Sequence, residues 1–467
     1  MKTRRENHTA FTITVCLLPM LCLLLTSGCA GNKQYRTDLK VCANTSAPEF
    51  HETALERTTN YLLGFVEFDD QGWLWSRAQM DKVLVAIKEE MGPNRENGVL
   101  LLTFVHGWKN NAAYDNGNVE EVRKTLNYLA DIESGLAKSN RLAPRKIVGV
   151  FVGWRGLTQK MWVVKQTTFW ARKRTGHEVG RGALTELFLR LEALVNDSKV
   201  AVKAAAERAD GERPAMSRLM IVGHSFGAAA TYSAVAPLYL ERILVPHHEH
   251  NGGTATSGFG DLVVLVNPAF EAARFQVLRD AAGSPRTDGT RQNQLLNLAI
   301  FTSKGDMATK DLFPIGRFFS TLFQSHRTNG QYSANKTAVG HYRNFLTHDL
   351  VPRKPGERQL DQPPKDQTEQ KARYEADVLQ AQQTVQSNWK QSWNKEDRRD
   401  AFRGEQTFGS TRLKPRTGAA PSPFIVAQVD TELVPNHNNI WRLRFVKFLG
   451  QFMLSFAAKD ERQAPEK

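Results

Sequence analysis

The chain is expected to fold as an α/β domain: a mostly parallel sheet flanked by helices, with a polar insertion before the last strand. Two observations predict this. Short, fully apolar runs alternate with stretches of helical spacing along most of the 467 residues. One such run, Leu219-Met220-Ile221-Val222, passes through Gly223-His224-Ser225-Phe226-Gly227 into the small residues Ala228-Ala229-Ala230. Strands covered by helices on both faces read as continuous apolar runs, whereas half-exposed strands alternate. A turn flanked by two glycines between such a strand and a helix marks a site of close packing.

The elements follow in order. Tyr61 to Trp75 alternates apolar and polar residues around Asp69-Asp70-Gln71-Gly72, which predicts a β-hairpin. Gln79 to Glu90 has helical spacing. Val99 to Val105 and Lys146 to Val152 read as buried strands, each followed by a helix, at about Val119–Leu136 and Ala183–Val195. Leu262–Val266, Leu298–Phe301 and Phe424–Val429 are further strands. Ile440 to Leu454 closes the pattern as a helix with Trp441, Phe445, Phe448 and Phe452 on one face. Residues 351–421 are poor in apolar side chains and rich in Gln, Lys, Arg and Pro. They read as an insertion between the last two strands, partly disordered or a solvated helix, and dispensable for folding.

The N-terminus reads as an export signal. Lys2, Arg4 and Arg5 precede an apolar run from Phe11 to Leu25, and Thr26-Ser27-Gly28-Cys29 follows. This resembles the bacterial lipobox, with Cys29 as the lipidated residue, although Thr26 stands where that motif usually has leucine. Ordinary cleavage after Ala30, or an uncleaved anchor, are the alternatives. Residues 30–56 are polar and mixed and read as a tether to the domain at 57–350 and 422–458. The lipobox resemblance implies a bacterial cell-envelope location, anchored by lipid, most simply in the outer membrane and facing the periplasm. The formal charge of +14 suits contact with anionic head groups. Nothing here has zinc-finger spacing, an RNP-like aromatic motif or a basic helix, so nucleic acid is not an expected partner. With Cys29 acylated, Cys42 would be the one free thiol of the mature chain, and stability would rest on the core.

Gly223–Gly227 is a G-x-S-x-G motif in the setting of a nucleophile elbow, where a sharp turn lifts the Ser225 hydroxyl above the sheet. The order of strand, His-Gly turn, strand, G-x-S-x-G, strand, strand-Asp, strand-His and helix resembles the α/β-hydrolase superfamily, over about 62–350 and 423–456. The likeness is to its esterase and lipase branch, among uncharacterised bacterial members. The resemblance implies a triad in the chain order Ser, acid, His. Ser225 carries over as the nucleophile. Of His326, His341, His348 and His437, only His437 lies between the last strand and the last helix, so it is the expected base, with His341 as the alternative. Asp306, after the strand Leu298–Phe301, is the expected acid, with Glu271 in Asn267-Pro268-Ala269-Phe270-Glu271 as the alternative. The oxyanion hole is expected from the backbone amides of Phe226 and of Trp108, in Val105-His106-Gly107-Trp108-Lys109. His106 is expected to brace that loop.

No cofactor or metal is expected. His247, His248 and His250 stand beside Gly252 and Gly253 and read as a surface loop. The expectation is therefore an exported, membrane-anchored serine hydrolase that cleaves carboxylic esters, small-molecule or lipid, through an acyl-enzyme. Two rivals are an acyltransferase or thioesterase on the same triad, and a non-catalytic envelope lipoprotein with a hydrolase fold. Acyl length and leaving group depend on loops that the sequence does not shape.

Overall fold

A computed structural model describes residues 33–44, 47–156, 162–209, 211–245, 258–284, 297–321, 324–353, 366–392, 402, 404–418 and 422–457. The signal-like segment 1–28, Cys29 and the histidines at 247, 248 and 250 lie outside these residues.

The strands, in chain order, are β1 (Asp38–Cys42), β2 (Thr53–Arg57), β3 (Tyr61–Phe68), β4 (Val99–Val105), β5 (Leu142–Ala143), β6 (Lys146–Trp154), β7 (Arg213–Pro214), β8 (Arg218–His224), β9 (Leu262–Val266), β10 (Leu298–Ser303), β11 (His348–Pro352), β12 (Gln406–Phe408), β13 (Thr411–Pro415) and β14 (Ile425–Val429). Twelve of them form one sheet in the order β1-β2-β3-β6-β4-β8-β9-β10-β14-β11-β13-β12, and β5 pairs with β7 in a small second sheet. From β3 to β11 every neighbouring pair is parallel. Antiparallel pairing is confined to β2–β3 and to β11–β13–β12.

Alternate residues of the central strands feed two cores. On β4, Val99, Leu101 and Val105 face one core, and Leu100, Leu102 and Phe104 face the other. The first core is closed by helices Arg77–Glu90, Ala183–Arg208, Phe226–Leu244 and Ala272–Gly283. The second is closed by Gly117–Ser139, Gln367–Ser392 and Leu443–Ala457, the last contributing Phe445, Phe448 and Phe452. Covering on both faces is why the strands carry apolar runs. Among the described residues, no helix is long and apolar enough to cross a membrane.

Three expectations need correction. The stretch 30–56 is not a plain tether, because it supplies β1 and β2 at one edge of the sheet. The fully buried Arg36 holds it there: its guanidinium lies 3.0 Å from Glu56, donates to the carbonyls of Ala112, Phe50 and Thr53, and stacks on Phe65. The hairpin predicted at Tyr61–Trp75 forms only in part. β3 takes its antiparallel partner from upstream β2, and a single bridge joins Phe68 to Leu74.

The insertion 351–421 does hold a helix that is solvated over most of its length, but its described residues also join the sheet and the core. β13 pairs with β11, and helix Gln367–Ser392 packs on Gly117–Ser139 and Leu443–Ala457. Few apolar residues suffice, because Ala381, Val385, Phe402, Phe408 and Leu413 are all buried in the second core.

Candidate active site

Parallel strands end on the same edge of a sheet, so the segments after β4, β8, β9, β10 and β14 meet there. The turn after β8 is sharp. Ser225 sits at φ 56°, ψ −118°, outside the regions that a side chain ordinarily tolerates, and begins helix Phe226–Leu244. Its flanks must be glycine. A Cβ on Gly227 would lie 2.2 Å from the Val105 carbonyl oxygen, and one on Gly223 would lie 2.7 Å from the Ala228 Cα. The serine is thereby pushed out between strand and helix.

The His437 Nε2 is 2.7 Å from the Ser225 Oγ, and its Nδ1 is 2.8 Å from the Asp306 Oδ1. Three segments separated by 81 and 131 residues thus converge in one hydrogen-bonded chain. With Asp306 as the anion, Nδ1 carries the proton and Nε2 is left as an acceptor for the serine hydroxyl. Asp306 is fully buried. Burial alone would raise its pKa, but the charge of His437 and the hydrogen bonds from His437 and Thr309 hold it below the usual carboxylate value. Gly305 permits the approach of the two loops, since a Cβ there would meet the Pro435 carbonyl oxygen at 2.2 Å.

The histidine loop is fixed by backbone contacts. The Asn436 Oδ1 accepts from the amides of Asn438 and Asn439. The His437 carbonyl oxygen lies 2.9 Å from both the His224 Nε2 and the Asn267 Nδ2. Asn267, at φ 46°, also accepts from the Ser303 amide through its Oδ1. One side chain therefore joins the ends of β9 and β10 to the His437 loop. Sequence reasoning gave neither His224 nor Asn267 this role. The strand-Asn-Pro step after β9 was the available signal. Burial keeps His224 neutral, its pKa pushed down to about 3.

The turn after β4 abuts the elbow. A Cβ on Gly107 would lie 2.8 Å from the Ser225 Cβ, so the backbone at 106–108 passes directly beside Ser225. Trp108 packs on the first core while partly exposed, and Phe226 is wholly buried at the start of the helix. His106 braces the turn. Its Nε2 accepts from the Trp154 amide, its Nδ1 lies 2.9 Å from the Gly107 carbonyl, and its own carbonyl accepts from the Trp154 indole. Burial lowers its pKa to about 4, so it stands as a neutral strut.

The two alternatives lie elsewhere. Glu271 is buried among Lys173, Arg274 and Arg317, whose charges overcome the cost of its burial and lower its pKa to about 2. It serves that ion cluster and does not meet His437. His341 does not reach Ser225 either; its Nε2 is 3.1 Å from the Thr309 Oγ1. Among the described residues, no group of three or more His, Cys, Asp or Glu is placed to hold a metal ion.

No protein-family model matches the chain, and no curated protein does. Among solved structures, it is similar to an uncharacterised protein from Pseudomonas aeruginosa, at 11% identity and a TM-score of 0.23. The match covers 52% of this chain and 42% of that one, so this chain spans less than half the length of that structure.

Proposed function

We propose that the chain is a serine hydrolase of the α/β-hydrolase type that cleaves carboxylic esters through an acyl-enzyme on Ser225. The observation that carries the reading is the chain Ser225–His437–Asp306, at 2.7 Å and 2.8 Å, on an elbow at φ 56°. A hydroxyl needs a base within hydrogen-bond reach to act as a nucleophile, and the base needs an orienting acid. His437 takes the Ser225 proton as the hydroxyl attacks the ester carbonyl. Asp306 steadies the imidazolium. His437 then returns the proton to the leaving alkoxide, and water, activated by the same histidine, releases the acid. The amides of Phe226 and Trp108 are the proposed donors to the oxyanion, a position consistent with the close passage of the 106–108 turn.

Exposed apolar side chains that follow Asp306 in the chain favour a lipid-like ester. Met307, directly after the acid, and Leu312, Ile315 and Phe318 are all exposed. The segment before residue 33, with its Ser27-Gly28-Cys29, is proposed to tie the protein to an envelope membrane through a lipid on Cys29.

The test is labelling of the purified protein with a fluorophosphonate. Ser225 should be the serine labelled, and Ser225→Ala should abolish labelling and lower ester turnover by several orders of magnitude. Full labelling of Ser225→Ala would overturn the mechanism. Mass spectrometry of the same preparation checks the anchor; an unlipidated N-terminus at Gly31 would exclude it.

A further inference from the structure

The acid of the triad has a second set of partners that the reaction scheme leaves unused. Thr309 lies one turn after Asp306, in the π-helical segment Ala308–Leu312. Its amide donates to the Asp306 Oδ1 at 3.1 Å, and its hydroxyl donates to the Asp306 Oδ2. The His341 Nε2 approaches the same hydroxyl oxygen at 3.1 Å. Thr309 and Asp306 are buried, and His341 is largely so.

The proton count gives this arrangement a direction. Thr309 has one hydroxyl proton, and the carboxylate oxygen can only accept it while Asp306 is ionised. His341 must therefore be the donor to Thr309, with its proton on Nε2. Every hydrogen bond then points at Asp306: Ser225 to His437 to Oδ1 on one side, His341 to Thr309 to Oδ2 on the other. We propose that Thr309 and His341 are positioning residues that hold Asp306 ionised and aimed at His437, and so set how basic His437 is. The inference rests on the hydrolase reading above.

Asp306 faces His437, His341 and His224, and His341 additionally faces Lys310 and Asp311. Burial lowers the pKa of His341, so it acts as a neutral donor near neutral pH. Removing the Thr309 donor leaves more of the carboxylate's charge to be shared with His437 alone. The imidazolium that forms as Ser225 attacks is then paired more strongly with Asp306.

The experiment compares the full chain with Thr309→Val, Thr309→Ser and His341→Phe. The rate of fluorophosphonate labelling at Ser225 is followed against pH, together with the far-downfield proton resonance between His437 and Asp306. Thr309→Val, which keeps the shape and loses the hydroxyl, should move the acid limb up by about half to one pH unit. Thr309→Ser should restore it to within about 0.2 units, and His341→Phe should move it the same way by less. Both non-polar variants should also shift the downfield resonance. A cooperatively folded Thr309→Val with limb and resonance unmoved would overturn the proposal. Should Thr309→Val not fold, His341→Phe decides by the same two readouts. A wild-type chain that never labels would sink the hydrolase reading, while the resonance would still test the arm.

Discussion

At the scale of single residues, the site depends on places where a side chain has no room. Gly107, Gly223, Gly227 and Gly305 each bring backbone within contact of a neighbouring segment where a Cβ would clash. Gly227→Ala would drive a methyl group into the Val105 and His106 carbonyls, at 2.2 and 2.3 Å, and backbone cannot move aside cheaply. The variant should lose Ser225 labelling and melt several degrees lower, measured by calorimetry beside the parent chain. His437→Ala tests the chemistry without that disturbance. It should cost about as much turnover as Ser225→Ala, because the members of the proposed triad would act as a unit. A His437→Ala variant that kept more than about a tenth of the turnover would show that another group serves as base.

At the scale of elements, the informative segments are those that polar composition disguised. β13 and β12 extend the sheet beyond β11, and helix Gln367–Ser392 covers the second core. Phe408 packs edge-on against Phe448 and Phe452 of the last helix, at 5.3 and 5.8 Å between ring centroids. Replacing residues 351–421 by a short Gly/Ser linker should therefore abolish cooperative melting, since it exposes β11 and strips the last helix. Phe408→Ala is the milder probe and should cost about 3–5 kcal/mol by urea unfolding. A linker variant that melts cooperatively at the parent temperature would show that the segment contributes little.

At the scale of the whole molecule, stability is tied to pH through buried histidines. His106, His177 and His224 have their pKa values pushed down by burial, to about 4, 3 and 3. The unfolded chain takes up these protons first as pH falls, near the ordinary histidine value of about 6.5. Their contribution is therefore complete above about 6.5 and is lost as pH falls toward 4. Each group in that window contributes a slope of up to about 1.4 kcal/mol per pH unit. Glu271, held near 2 by its cationic neighbours once burial is overcome, adds a loss in the same direction below about 4.5. Urea midpoints should fall steadily from pH 7 to pH 4.5. A flat profile would mean that the folded protein protonates these rings freely.

The layered α/β architecture and the elbow could be read from the residues because both are local. Strand runs buried on two faces must be apolar along their length, and a turn that strained must have small flanks. Ser225, Asp306 and His437 could be named through the resemblance to α/β-hydrolases, which puts each role after a strand end in chain order, and the parallel sheet carries those ends to one edge. What only the tertiary structure decided depends on partners far apart in sequence. Arg36 anchors β1 and β2 through Glu56 and Ala112, and β11 finds β13 across 58 residues of mixed composition. His341, the alternative base, reaches Thr309 instead, and Asn267 holds a carbonyl 170 residues away. Composition reports how much apolar surface a segment carries. Where that surface is buried, and which donor meets which acceptor, is set by the packing of elements that no local window contains.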